Sequence, residues 1–183
     1  MWEWLGEVLA VDFANTIRRY GNEFRDCLRA DDDLAEWARH QDGAVPVVGA
    51  DGRLAEVIEL RDAVIRVLHG ARRAGPGEVG ARDLRAATAR VNAAARAVPL
   101  VAQLRDGAIV TTPAARADPL DELLARVAAS AVEVAGGDHF VGFCDAPSCG
   151  MFFEGGRSGR RWCSDTCGTR ARVARHAHRH RRA

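Results

Sequence analysis

Four cysteines near the C-terminal end constrain this chain more than any other feature. Cys144 and Cys149 are separated by four residues, Cys163 and Cys167 by three, and 13 residues lie between the pairs. Two close pairs about a dozen residues apart suit a tetrahedral zinc site with four thiolates, each pair wrapping one edge of the ion. An arginine-rich stretch follows the second pair at once, from Gly168 to His176. The expected arrangement is a metal that orients a basic arm toward a polyanion, DNA first.

The chain has 183 residues, enough for one medium domain and a small appended module. Its apolar fraction of 48% and charged fraction of 28% are those of an ordinary globular protein. No apolar run approaches the roughly 18 residues of a membrane span, and Met1 to Leu9 hold two Glu and no basic residue. No membrane partner and a cytoplasmic address are therefore expected. Cys27 stands apart from the pairs and is expected as a small buried apolar residue.

The net charge of +1 conceals an asymmetry. From Cys144 onward nine Arg face three acids, giving +6, which leaves 17 against 22, or −5, for the rest. An acidic body with a basic tail presents the tail to a polyanion.

The fold class read from the pattern is mainly α with a small β-hairpin. A helical domain over 1–137 precedes a zinc-binding module over 138–183. Helices are expected over 6–19, from Asp31 through Ala38, over 53–73 and over 79–97, with stops at Gly75-Pro76-Gly77 and Gly136-Gly137. Asp106-Gly107 between Val101–Arg105 and Ala108–Thr112 predicts a tight hairpin. Asp118-Pro119 predicts the start of a further helix, with Asp as cap.

In the C-terminal module, Phe140–Cys144 and Met151–Glu154 read as short strands joined by a zinc knuckle. Trp162 is a natural apolar floor, and Cys167 is expected in the first turn of the last helix. The result is a small treble-clef-like ββα unit. Four sulfur donors leave no position for an activated water, so one structural Zn2+ is expected rather than a catalytic one. Four reduced cysteines without metal and an iron–sulfur cluster are the lesser alternatives for two such pairs. His176 and His180 share a helix face, but the cysteines already supply a complete ligand set.

Three segments carry a family resemblance. They are Cys144-x4-Cys149-Gly150, Arg160-Arg161-Trp162-Cys163-Ser164, and Cys167-Gly168-Thr169-Arg170 with Arg172 and Arg175-His176. They resemble the CGNR zinc finger, and Leu9 to Thr16 resembles the opening of the ABATE domain that accompanies it. The resemblance covers nearly the whole chain. It implies a bacterial stress-related transcription regulator with a helical ABATE domain and a DNA-binding finger. Thr169 stands where the family name has Asn, and Thr cannot make the bidentate adenine contact that Asn can.

Arg160, Arg161, Arg170, Arg172, Arg175 and Arg179 are the residues expected to contact DNA. A single finger makes few phosphate contacts, so a homodimer reading two half-sites is the expected arrangement. In the helical domain Arg61 falls inside an apolar stripe and needs a partner; Asp12 is expected to supply it, with Asn15 close by. That group reads as a structural network, or else as a small-ligand site between helices. A protein-interaction role for the finger is the alternative to DNA binding. No Gly-rich phosphate loop or nucleophile motif supports an enzyme.

Overall fold

A computed structural model describes residues 4–20, 23–71, 81–137, 141–155 and 160–180. Trp2, Phe140, Gly75-Pro76-Gly77 and Arg181-Arg182 lie outside these residues, as does the side chain of His180. The element order is α1 (Leu9–Ala14), β1 (Ile17–Tyr20), β2 (Glu23–Asp26), α2 (Asp31–Arg39), α3 (Leu54–Ala71) and α4 (Ala81–Ala97). There follow β3 (Leu100–Arg105), β4 (Ala108–Pro113), α5 (Pro119–Gly136), β5 (Val141–Phe143), β6 (Phe152–Glu154) and α6 (Asp165–His180).

Helices α3, α4 and α5 pack on one another, and α1 lies against α3 and α5. Their stripes meet in one core: Val57, Leu60, Val64 and Leu68 of α3 face Leu123, Val127 and Ala131 of α5, with Phe13 and Trp37 fully buried beside them. The start of α5 is capped as its sequence predicts: Asp118 Oδ1 accepts from Leu120 N at 2.9 Å and Asp121 N at 3.3 Å, with Pro119 at the first helical position. At the start of α2, Asp33 reaches back to accept from Arg29 N and Ala30 N at 2.7 and 2.8 Å. The Asp106-Gly107 turn has φ of 49° and 80°, the double left-handed geometry that matches strand twist in a two-residue hairpin.

The first helix is shorter than its periodicity suggests. It ends at Ala14, and the expected continuation to residue 19 is replaced by the antiparallel pair β1–β2. The local cause is Thr16, whose hydroxyl and amide both return to Phe13 O, at 2.8 and 3.2 Å, and close the last turn. Ile17 therefore leaves the apolar stripe to which its spacing assigns it.

This hairpin also takes the buried cation. Arg61 is 2% exposed and forms a two-pronged pair with Asp26 at the end of β2, at 2.6 and 2.7 Å. The expected Asp12 partner is thus corrected to Asp26, because the shortened helix lets the chain fold back over α3. Cys27, next in sequence, is half-buried rather than fully buried. Among the described residues no helix is long and apolar enough to cross a membrane.

Removing one partner strands a buried guanidinium. Asp26→Ala is expected to lower the unfolding free energy by about 3 kcal/mol, read from the midpoint of urea denaturation at unchanged slope.

Candidate metal centre and basic face

Strands β5 and β6 pair with Phe143 opposite Phe152. Beyond them the chain turns tightly: Cys144 N donates to Met151 O at 2.9 Å and Cys149 N to Ala146 O at 3.0 Å. Ser148, at φ 64°, and Gly150, at φ 153°, supply the left-handed backbone that brings Cys149 back beside Cys144. Ser164 starts α6, its hydroxyl accepting from Cys167 N at 3.3 Å and its carbonyl from Gly168 N at 3.1 Å. Cys167 accordingly lies in the first turn, where the partial positive charge of the helix end favours a thiolate.

The four sulfurs lie within 4.8 Å of one another. Cys149 and Cys163 are 3.6 Å apart, and Cys163 and Cys167 3.5 Å. A tetrahedron with Zn–S near 2.3 Å has edges of about 3.8 Å, so the donor set fits zinc in number, type and size. The thiols also perturb one another. Hydrogen bonds from Cys149 and Cys163 hold the Cys144 thiol down at about 3, while hydrogen bonding to Cys144 drives the Cys163 thiol up. Four thiolates packed this closely would repel one another, and a divalent cation offsets that repulsion.

A seam joins this centre to the helical domain. Asn15, just past α1, pairs with the backbone of β6 in both directions: its Nδ2 donates to Phe152 O at 3.0 Å and its Oδ1 accepts from Phe152 N at 2.8 Å. Glu7, whose side chain is 7% exposed, accepts from Glu154 N at 2.9 Å and from Arg160 Nη1 at 2.9 Å. On β6, Phe152 enters the helical core, whereas Phe153 joins Met151 and the cysteines in a second core on which Leu5 also packs.

Asp12 belongs to this seam rather than to Arg61. It is 5% exposed and accepts a hydrogen bond from the backbone of Glu7. Burial pushes its carboxyl up to about 7, the Glu7 backbone hydrogen bond opposes this, and the Glu7 carboxylate adds to it. Asp12, Asn15 and Arg61 thus have three different partners and do not close one ligand site. Glu7 carried no motif signal. The run Met151-Phe152-Phe153, apolar on both faces of a strand, was the available clue that β6 lies between two cores.

The six arginines expected at DNA divide into two groups. Arg160, although exposed, is tied to the finger: it donates to Trp162 O at 3.0 Å, to Cys163 O and to Glu7, and lies 5.1 Å from the Phe153 ring centre. Arg170 reaches across to Pro147 O at 3.1 Å and ties α6 to the knuckle. The other four gather around Trp162. The guanidinium carbons of Arg161 and Arg175 lie 5.4 and 5.8 Å from its ring, Arg172 is held by Thr169 Oγ1 at 2.9 Å, and Arg179 lines the same groove one turn beyond Arg175. Gly168 lets Trp162 sit this close, since a Cβ there would come within 3.1 Å of the indole.

Comparison with known families agrees with this geometry. The model of the ABATE family, described as "Putative stress-induced transcription regulator", matches residues 7–138, and that of the CGNR zinc finger matches 141–180. No curated protein matches the chain. The four cysteines in a finger of this type hold one structural zinc.

Two outcomes are expected. In Cys144→Ser/Cys163→Ser, stoichiometric zinc is lost and amide exchange over 141–180 accelerates, while α3 and α5 stay protected. The second concerns pH. A carboxyl raised from 3.8 to about 7 binds its proton more tightly in the folded state, so its contribution to stability falls as pH rises through that interval and levels off above it. Wild type should therefore lose stability relative to Asp12→Asn between about pH 4 and pH 7, a difference in which the pH dependence of the zinc cancels.

Proposed function

The chain belongs to the ABATE family and ends in a CGNR zinc finger, and from that premise we propose that it is a transcription regulator that binds duplex DNA through α6. One observation carries this reading: Arg172, Arg175 and Arg179 of α6 and Arg161 of the preceding loop are exposed around Trp162, beside the four-cysteine cluster that fits zinc. Guanidinium groups so placed match phosphates and guanine edges. Zinc orders the helix before DNA arrives, which lowers the entropic cost of binding.

The division of the arginines assigns distinct duties. Arg161, Arg172, Arg175 and Arg179 contact DNA; Arg160 and Arg170 hold the finger in position. Thr169 acts by bracing Arg172 rather than by reading adenine. Four sulfur ligands close the metal to substrate, which supports a non-enzymatic role. A single finger of this size gives modest affinity, so two fingers acting from a homodimer belong to the proposal.

The test is binding of the zinc-loaded chain to a pool of genomic duplexes at several salt concentrations, with sequencing of the retained fragments. Affinity should fall steeply with salt. Arg172→Ala and Arg175→Ala should each reduce the log–log slope by about 0.9. Arg160→Ala should instead accelerate exchange of the Phe152 and Glu154 amides. Absence of salt-dependent binding by the intact chain would overturn the reading in favour of a protein-docking finger.

A further inference from the structure

A cavity of about 680 Å³ opens between the β1–β2 hairpin, α3 and the zinc knuckle. It is separate from the basic face of α6 and abuts the metal centre, since Cys144 and Cys149 are part of its wall. The helical domain contributes Ile17 and Ile65 as apolar floor, and the finger contributes Phe143, Phe152 and the knuckle backbone at Asp145-Ala146 and Cys149-Gly150. Its size and its position between two packed units are those of small-molecule sites.

One side of the cavity is aromatic. Phe143 and Phe152 meet edge to face at 5.3 Å, and the His69 ring lies 4.7 Å from Phe152 and 5.1 Å from Phe143. Phe24 of β2 lines the same space while 74% exposed, a large apolar ring left in water at the rim. The other side is cationic: Arg18, Arg19 and Arg66 against Asp62 and Asp145, a formal excess of one positive charge with His69 neutral. Among the described residues the Arg66 guanidinium donates to the backbone carbonyl of Asp62, at 2.9 Å through Nη1, which leaves further N–H groups for an anion. Gly150 permits the close fit of hairpin to knuckle, since a Cβ there would stand 3.1 Å from Arg19 Cβ.

We propose that this cavity binds an aromatic monocarboxylate, with the ring against Phe24, Phe143 and Phe152 and the carboxylate on the arginines. A guanidinium pairs a carboxylate through two parallel hydrogen bonds, and edge-to-face rings accept a third flat ring. The single excess positive charge, with Asp62 and Asp145 in the wall, disfavours polyphosphates and dianions. Binding requires no DNA, so this proposal and the DNA-binding reading stand or fall separately. Because the walls come from both units, a bound ligand bridges the helical domain and the knuckle.

The test is calorimetric titration of the full zinc-loaded chain with 2-naphthoate, its neutral isostere 2-naphthamide, and inorganic phosphate. Naphthoate should bind one to one and roughly tenfold or more tighter than naphthamide, with phosphate weaker than either. Arg66→Ala and Phe24→Ala, both at exposed positions, should each weaken naphthoate by roughly tenfold while leaving zinc content and helicity unchanged. Equal affinity for acid and amide, tighter binding of phosphate, indifference to both substitutions, or no binding at millimolar naphthoate would each overturn it.

Discussion

The reciprocal pair between the Asn15 amide and the Phe152 backbone is the contact on which the arrangement of this molecule depends. It satisfies a donor and an acceptor on β6 with one side chain, at a place where a neighbouring strand would otherwise be needed. Glu7 extends the same seam to Glu154 N and to Arg160. Through these contacts the short β5–β6 hairpin gains what two strands alone lack, a buried face on each side. Phe152 completes the core of the helices, and Phe153 completes the core around the cysteines.

Zinc acts on the other side of that hairpin. Cys144 and Cys163 perturb one another, and a cation among the four sulfurs offsets the repulsion of neighbouring thiolates. The ion thereby ties the knuckle to the first turn of α6, while Arg170 and Arg160 draw in the loops around it. Together, metal and seam give the exposed arginines around Trp162 a set direction relative to the helical domain. A ligand at the junction or a proton on Asp12 would act on this same joint, because both lie against elements that hold the finger in place.

Much of the architecture was legible from local chemistry. The cysteine spacing announced the metal centre, Asp106-Gly107 the hairpin, and Asp118-Pro119 the start of α5. What failed was pairing at a distance. Arg61 was recognisable as a buried cation in need of a partner, yet Asp26 sits 35 residues away on β2, whose pairing strand β1 helical periodicity had absorbed. Periodicity ran through Thr16 because it counts apolar positions and ignores a hydroxyl returning to the preceding turn. Arg160 and Arg172 look equivalent in a basic run; only the position of Glu7 and two backbone carbonyls distinguishes the one that braces the finger.

The sequence by itself determined the zinc ligands, the helical character of the larger unit and the concentration of positive charge after the second cysteine pair. Each follows from residue type and spacing over a few turns of chain, where geometry is nearly fixed by covalent structure. Tertiary structure alone decided which arginines are tied to the finger's backbone, which acid receives Arg61, that Asn15 clasps β6, and that a cavity lies at the junction. Those outcomes depend on how segments far apart in the chain approach each other, and a side chain's partner is chosen by the packing of both surfaces together, which no local pattern encodes.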